Sequence, residues 1–392
     1  MNFSESIVAA WRADYPALKE YVWFQNGGVS ITPLPVATEH IRLMQENLYK
    51  GPMHIVHPDD ELPRRQDTLK KISSFFSVST KDICLMRGVS EAFQTVLRGM
   101  EWAAGDQIII SEDEEAALLL PVLHLRDRYG VEVIKAPLID GEDVQVETIS
   151  NLFTERTRLL AISHVTTDLG FRLPVATICE RAKQRGIRSF VDLAHSAGLY
   201  SISLEDLNCD YAGILSYKWM YAPYAAGLLY VNPKSEHSLE VTFAGGRSEK
   251  NLDFINDSYE LRDSVERFQY GPWSWPLVHS WAFSIDYLNR IGFHTIWNRT
   301  KELTLMLKDG LKSIPGVELY TPYSTNLSAA LVSFGLANWK GSDLVKELRK
   351  RHNIFIKCLP HTREGLRASV TYFNLESEIE LLVNAVHDLA SE

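Results

Sequence analysis

The run Phe190-Val191-Asp192-Leu193-Ala194-His195-Ser196-Ala197-Gly198 ends an apolar stretch on an acid. Further along, Ser216-Tyr217-Lys218-Trp219 ends another apolar stretch on a lysine. A carboxylate and an amine at the ends of neighbouring strands suit an enzyme that holds pyridoxal phosphate. The lysine forms a Schiff base with the cofactor aldehyde, and the acid keeps the pyridine nitrogen protonated so that the ring accepts electrons. Taken singly, each residue has a plainer explanation, since a lysine at a strand end is usually solvated surface.

The elements around these residues give them a common setting. Short, nearly continuous apolar strands are expected at 83–86, 106–111, 131–134, 158–165, 189–191, 211–215 and 227–231, with helices between many of them. That pattern means a mainly parallel sheet covered on both faces. Ligands in such sheets bind beyond the carboxyl ends of the strands. Ser90, Thr167, Asp192 and Lys218 all fall at such ends. The run Arg87-Gly88-Val89-Ser90-Glu91-Ala92 opens a helix after a strand, which makes either a phosphate cradle or an ordinary N-cap. Asn26-Gly27-Gly28 is a tight turn or a place where a ligand meets the backbone.

Before these strands, a helix is expected over 1–20, helices over 34–50 and 60–77, and a loop at 50–54. After them, 233–275 reads as loops rich in glycine and aromatics, including Gly245, Gly246, Gly271, Trp273 and Trp275. A helix is expected over 276–291, strands at 317–320, 328–334 and 366–373, and helices at 341–352 and 375–389. The expected division is an N-terminal segment 1–30 that joins the small domain, a large domain 31–275, and a small α+β domain 276–392.

Composition excludes several classes. The chain has 392 residues, 45% apolar and 23% charged, with a formal net charge of −10. An acidic chain offers no broad nucleic-acid surface or basic membrane face. Four cysteines, Cys84, Cys179, Cys209 and Cys358, show no CxxC spacing for a metal. Thin cysteine use, no signal peptide and no apolar run long enough for a membrane span lead to the expectation of a cytoplasmic enzyme. No GxGxxG follows a strand, which argues against a nicotinamide dehydrogenase.

With these residues in order, the chain from about Tyr21 to its last helix resembles the class V aminotransferase group of fold-type I pyridoxal-phosphate enzymes. The resemblance rests on Val191-Asp192-Leu193-Ala194-His195 and on Tyr217-Lys218-Trp219 with Ala222-Pro223. Arg87–Ala92, Ser163-His164-Val165 with Gly170, and Leu366-Arg367-Ala368-Ser369 with Phe373-Asn374 add to it. It implies Lys218 as the Schiff-base lysine and proton shuttle, and Asp192 as the partner of the pyridinium nitrogen. It implies Val89 and Ser90 at the phosphate, and His195 at the phenolic oxygen or phosphate. Arg367 would hold the substrate α-carboxylate, with Arg363 as its competitor and Asn26 and Gly27 nearby. It also implies a homodimer with shared sites, in which Gly245, Gly246 or Gly271 reaches the partner's phosphate.

The chain departs from the group's pattern in four places. Tyr217 stands where a histidine is usual, Thr167 where an asparagine is usual, and Pro272 where a threonine is usual. The segment Glu112-Asp113-Glu114-Glu115-Ala116-Ala117 has no histidine or aromatic to stack on the cofactor ring.

Cysteine desulfurases in this group need a nucleophilic cysteine on a loop before the carboxylate arginine. Cys358 is the one cysteine available there, and it reads as a core-strand residue. The leading expectation is therefore a C–S lyase that acts on a cysteine S-conjugate or its sulfoxide, with Trp273 and Trp275 holding a bulky β-substituent. An aminotransferase or epimerase is the alternative, with cysteine desulfurase ranked below them. A scaffold subunit without turnover is disfavoured by the intact Lys218 and Asp192.

Overall fold

Most strands belong to two sheets in the computed structural model, which describes residues 5–359 and 363–392. In chain order they are β1 (Val22–Phe24), β2 (Ile83–Met86), β3 (Gln107–Ser111), β4 (Glu132–Ala136), β5 (Thr157–Ser163), β6 (Arg188–Asp192) and β7 (Tyr211–Leu215). Then come β8 (Gly227–Val231), β9 (Glu249–Asp253), β10 (Ser258–Leu261), β11 (Val317–Leu319), β12 (Leu331–Leu336), β13 (Ile354–Cys358) and β14 (Leu366–Ser369).

The larger sheet has the order β2-β8-β7-β6-β5-β3-β4. β7, β6, β5, β3 and β4 pair in parallel, while β8 runs antiparallel to both β7 and β2. Alternate residues pack into two cores, one on each face. Ile109, Leu160, Ile162 and Val191 face one core, and Ile108, Leu159, Ala161 and Phe190 face the other. The parallel strands thus send their carboxyl ends to one rim, where β6 stops at Asp192 and β7 leads into Lys218.

The smaller sheet has the order β1-β13-β14-β12-β11. β1 joins it through parallel pairing with β13, although more than three hundred residues separate the two in sequence. This pairing carries Asn26 and Gly27 to the end of β14, where Gln25 bridges Ser369.

The structure corrects several expected elements. The first helix covers Glu5–Ala13 and gives way to a 3-10 turn at Pro16–Lys19. The break expected near 50–54 is confined to Gly51-Pro52, because Met53–Val56 forms a helical turn. Within the stretch read as loops, β9 and β10 form a hairpin whose tip exposes Phe254 and Ile255. Helices Glu142–Ser150 and Phe293–Lys312 were not expected at all. Among the described residues, no helix is long and apolar enough to cross a membrane.

One glycine ties the acid and the lysine together. Gly198 closes the turn after Asp192 with φ +94°, and a Cβ there would lie 2.3 Å from the Trp219 carbonyl oxygen. Both the left-handed backbone and the close approach exclude a side chain. Gly198→Ala is expected to cost at least about 2 kcal/mol in chemical denaturation. A loss under about 0.5 kcal/mol would show that this contact is not tight.

Candidate active site

The two strand ends, the start of the helix Val89–Gly99, the turn after β1 and strand β14 enclose one cavity of about 720 Å³. Its lining includes Gly27, Val89, Ser90, Asp192, Tyr217, Lys218 and Arg367. Asn26, Thr167 and His195 stand just behind this wall. Asn26 Nδ2 donates to the Lys218 carbonyl at 3.4 Å, and Thr167 and His195 touch the charged groups described below.

Lys218 is buried, with Nζ 3.3 Å from His195 Nε2. Burial pushes its amine down to about 8, against the pull of Glu115 and Asp192. Near neutral pH a useful fraction is therefore the unprotonated nucleophile. Burial lifts the Asp192 carboxyl to about 6, while the Ala194 N–H at 2.7 Å and the charge of Lys218 oppose the rise. His195 is driven well down by burial and by Lys218, Arg367 and Lys357, so its imidazole is neutral.

Arg367 is 1% exposed. Its Nη1 donates to the Thr167 carbonyl at 2.5 Å, while Nε and Nη2 have no partner among the described residues. Gly27 crosses directly over this group. A Cβ there would lie 2.8 Å from Ser369 Oγ and 3.0 Å from Arg367 Nη2. Burying a guanidinium with open donors is costly unless an anion completes it.

Two further charged residues, Lys357 and Glu115, line the cavity without a sequence motif to mark them. Lys357 pairs with Arg367 across β13 and β14, so both side chains share one face of the sheet. Its Nζ lies 3.0 Å from Asp168 Oδ1. Glu115, from the acidic segment without an aromatic, also lines the cavity, and its Oε2 accepts from Thr167 Oγ1 at 2.9 Å. The two neighbouring acids turn inward. Asp113 accepts the Asp168 and Leu169 N–H groups, and Glu114 accepts from Ser111, Ser163 Oγ and the Ser163 N–H. Strand pairing places Ser163 beside Asp192.

Other candidates lie elsewhere. Arg363 sits over the Tyr320 ring at 5.0 Å and 3.7 Å from Glu318, with its side chain half exposed, so it does not compete with Arg367. Gly271 donates to the Gly246 carbonyl and lies outside the Lys218 cavity of its own chain. Trp273 and Trp275 line a separate cavity of about 360 Å³ with Arg64, Arg65 and His279, so they do not flank Lys218 within one chain. Cys358 follows Lys357 on β13 and so points to the opposite face, where its Sγ packs near Gly341. Burial raises its thiol above the ordinary range. Pro360, His361 and Thr362 of the following loop lie outside the described residues.

The groups present fit pyridoxal phosphate. A buried amine and a buried carboxylate stand at adjacent strand ends. The helix Val89–Gly99 starts on the cavity with no side-chain cap, leaving backbone donors for a phosphate. Open guanidinium donors await a carboxylate. With the sheet topology, this site defines a fold-type I pyridoxal-phosphate-dependent enzyme.

The family model for class V aminotransferases matches residues 62–382, and the chain belongs to that family. A probable cysteine desulfurase of Methanothermobacter thermautotrophicus is 29% identical, with 97% of each chain covered. A cysteine desulfurase of Escherichia coli O8 is 26% identical over 98% of each chain. Among solved structures, the apo cysteine desulfurase of Thermococcus onnurineus NA1 superposes with a TM-score of 0.87 at 23% identity, covering 100% of this chain and 99% of that one. The cystine C–S lyase C-DES, in complex with cysteine persulfide, gives 0.87 at 22% identity, covering 95% and 99%.

Glu114 yields a pH-dependent prediction. Burial pushes its carboxyl from 4.5 up to about 8 in the folded protein. Between those values the folded chain keeps a proton that the unfolded chain has lost, so stability falls as pH rises through the window. Glu114→Gln keeps an acceptor for Ser163 and has no proton to lose. The Tm of the variant relative to the parent should therefore rise from about pH 5 to about pH 8 and then level off. A difference that does not change with pH would contradict the assignment.

Proposed function

We propose that this enzyme cleaves the carbon–sulfur bond of a cysteine S-conjugate or its sulfoxide by β-elimination, without an enzyme thiol. The observation that carries the reading is the parity of β13. Lys357 faces the cavity beside Arg367, which turns Cys358, the one cysteine near Arg367, to the other face.

In this reading Val89, Ser90 and Tyr217 would hold the cofactor phosphate, His195 and Thr167 would serve its phenolic oxygen, and Asp192 would keep the ring nitrogen protonated. Pyridoxal phosphate, when bound, supplies the electron sink for the pair left at the substrate Cα. Arg367 grips the α-carboxylate through its open Nε and Nη2, with Asn26 and Gly27 shaping that end. Lys218 takes the Cα proton. The Cβ–S bond breaks with its electron pair on sulfur, which leaves as a thiolate from the conjugate or as a sulfenate from its sulfoxide and is protonated. The released enamine hydrolyses in water to pyruvate and ammonia.

The reading includes a homodimer in which Gly271 of one protomer approaches the phosphate of the other. It also includes a domain division at 30/31 and 275/276, and a cytoplasmic setting that suits four free cysteines.

The names of the relatives favour a second reading, cysteine desulfurase. That reaction requires a thiol to accept sulfur, and Cys358 would have to leave its strand to reach Lys218.

Incubation with a cysteine S-conjugate sulfoxide separates the readings. Pyruvate should appear at the same rate in the parent and in Cys358→Ser, and Lys218→Ala should reduce it by at least about a thousandfold. Mass spectrometry after incubation with cysteine should find no persulfide on the protein. Persulfide on Cys358, with sulfur release abolished in Cys358→Ser, would establish the desulfurase instead. Conversion of a keto-acid acceptor without pyruvate would establish an aminotransferase.

A further inference from the structure

Glu115 is a charged cavity residue to which the mechanism above gives no role. It stands immediately before the helix Ala116–Tyr129, in the segment where a ring-stacking side chain is expected and missing. Its contacts form a chain to the lysine. Glu115 Oε2 accepts from Thr167 Oγ1 at 2.9 Å, Thr167 Oγ1 lies 3.5 Å from His195 Nε2, and His195 Nε2 lies 3.3 Å from Lys218 Nζ.

The charges that face Lys218 are Glu115 and Asp192 on one side of the balance and Arg367 and Lys357 on the other, with neutral His195 in contact. Most of them have other engagements. Asp192 is bonded to the Ala194 N–H and, in the proposed site, serves the ring nitrogen. Lys357 is paired with Asp168. Arg367 awaits the substrate carboxylate. Glu115 is thus the anion left to act on the lysine nitrogen. It is half-buried, where charges interact more strongly than in water.

We propose that Glu115 is a positioning residue that sets the proton affinity of the Lys218 nitrogen: this chain replaces a stacked ring with a carboxylate whose field, carried through Thr167 and His195, favours the protonated form. The inference rests on Lys218 being the lysine that carries the cofactor.

The test is a spectrophotometric pH titration of the visible absorbance band of the holoenzyme. In Glu115→Gln the midpoint should fall by about one pH unit. Glu115→Asp should restore part of the shift, and Thr167→Val, which breaks the chain, should lower the midpoint as well. A purely structural role would change stability and leave the midpoint in place. A midpoint within about 0.2 unit of the parent in Glu115→Gln overturns the proposal. If Glu115→Gln takes up no cofactor, an unmoved midpoint in Thr167→Val overturns it equally. Lys218→Ala separates the two levels. Cofactor that borohydride still fixes covalently to the protein in that variant defeats the assignment of Lys218. A covalent link lost there, with no shift in Glu115→Gln, defeats only the role of Glu115.

Discussion

Keeping a lysine amine buried yet reactive at a strand end is the constraint on which the rest of this structure depends. Water would hold Lys218 fully protonated, and an apolar interior alone would hold it neutral. The chain sets an intermediate state by surrounding the amine with acids, cations and a neutral imidazole. The arrangement needs rigid backbone. The parallel register of β6 on β7 fixes Asp192 opposite Gly213, and Gly198 lets the turn after Asp192 close against Trp219.

The small sheet completes the cavity from the other side. β14 delivers Arg367 with two donors open, and β13 delivers Lys357 beside it. β1, from the start of the chain, is stitched to β13 and lays Gly27 across the guanidinium. In the proposed function, substrate recognition depends on contacts between segments far apart in sequence, while the cofactor would be held by one continuous stretch of strand-and-helix units. The local part of the site consequently reads more easily from sequence than the distant part.

That difference explains which features were legible. Asp192, Lys218 and the helix start at Val89 sit at the ends of apolar runs, so residue type and position already indicated a shared rim. Arg367 was identified through its motif. Lys357 was not singled out because its importance comes from antiparallel pairing with Arg367, which only the register reveals; strict alternation along β13 was the available signal, and it also turns Cys358 away. Glu115 was hidden in an acidic run that resembled solvated surface, whereas the fold buries Asp113 and Glu114 and gives all three acids separate partners. The helix Phe293–Lys312 is obscured in the sequence because its buried face includes Arg299, Thr300, Thr304 and Lys308, which blur the apolar stripe. Lys308 is satisfied there by the Pro322 carbonyl and Ser328, and Arg299 by Glu376 and the Asn374 carbonyl. The hairpin β9–β10 is polar along much of its length and carried no strand alternation to find.

The most direct test of the account is to reduce the holoenzyme with borohydride, digest it and map the modified lysine by mass spectrometry. The account predicts one reduced cofactor per chain, attached to the peptide that contains Lys218. Attachment to Lys357, or to any other lysine, would contradict it, because the acids, the imidazole and the helix start would then surround the wrong nitrogen.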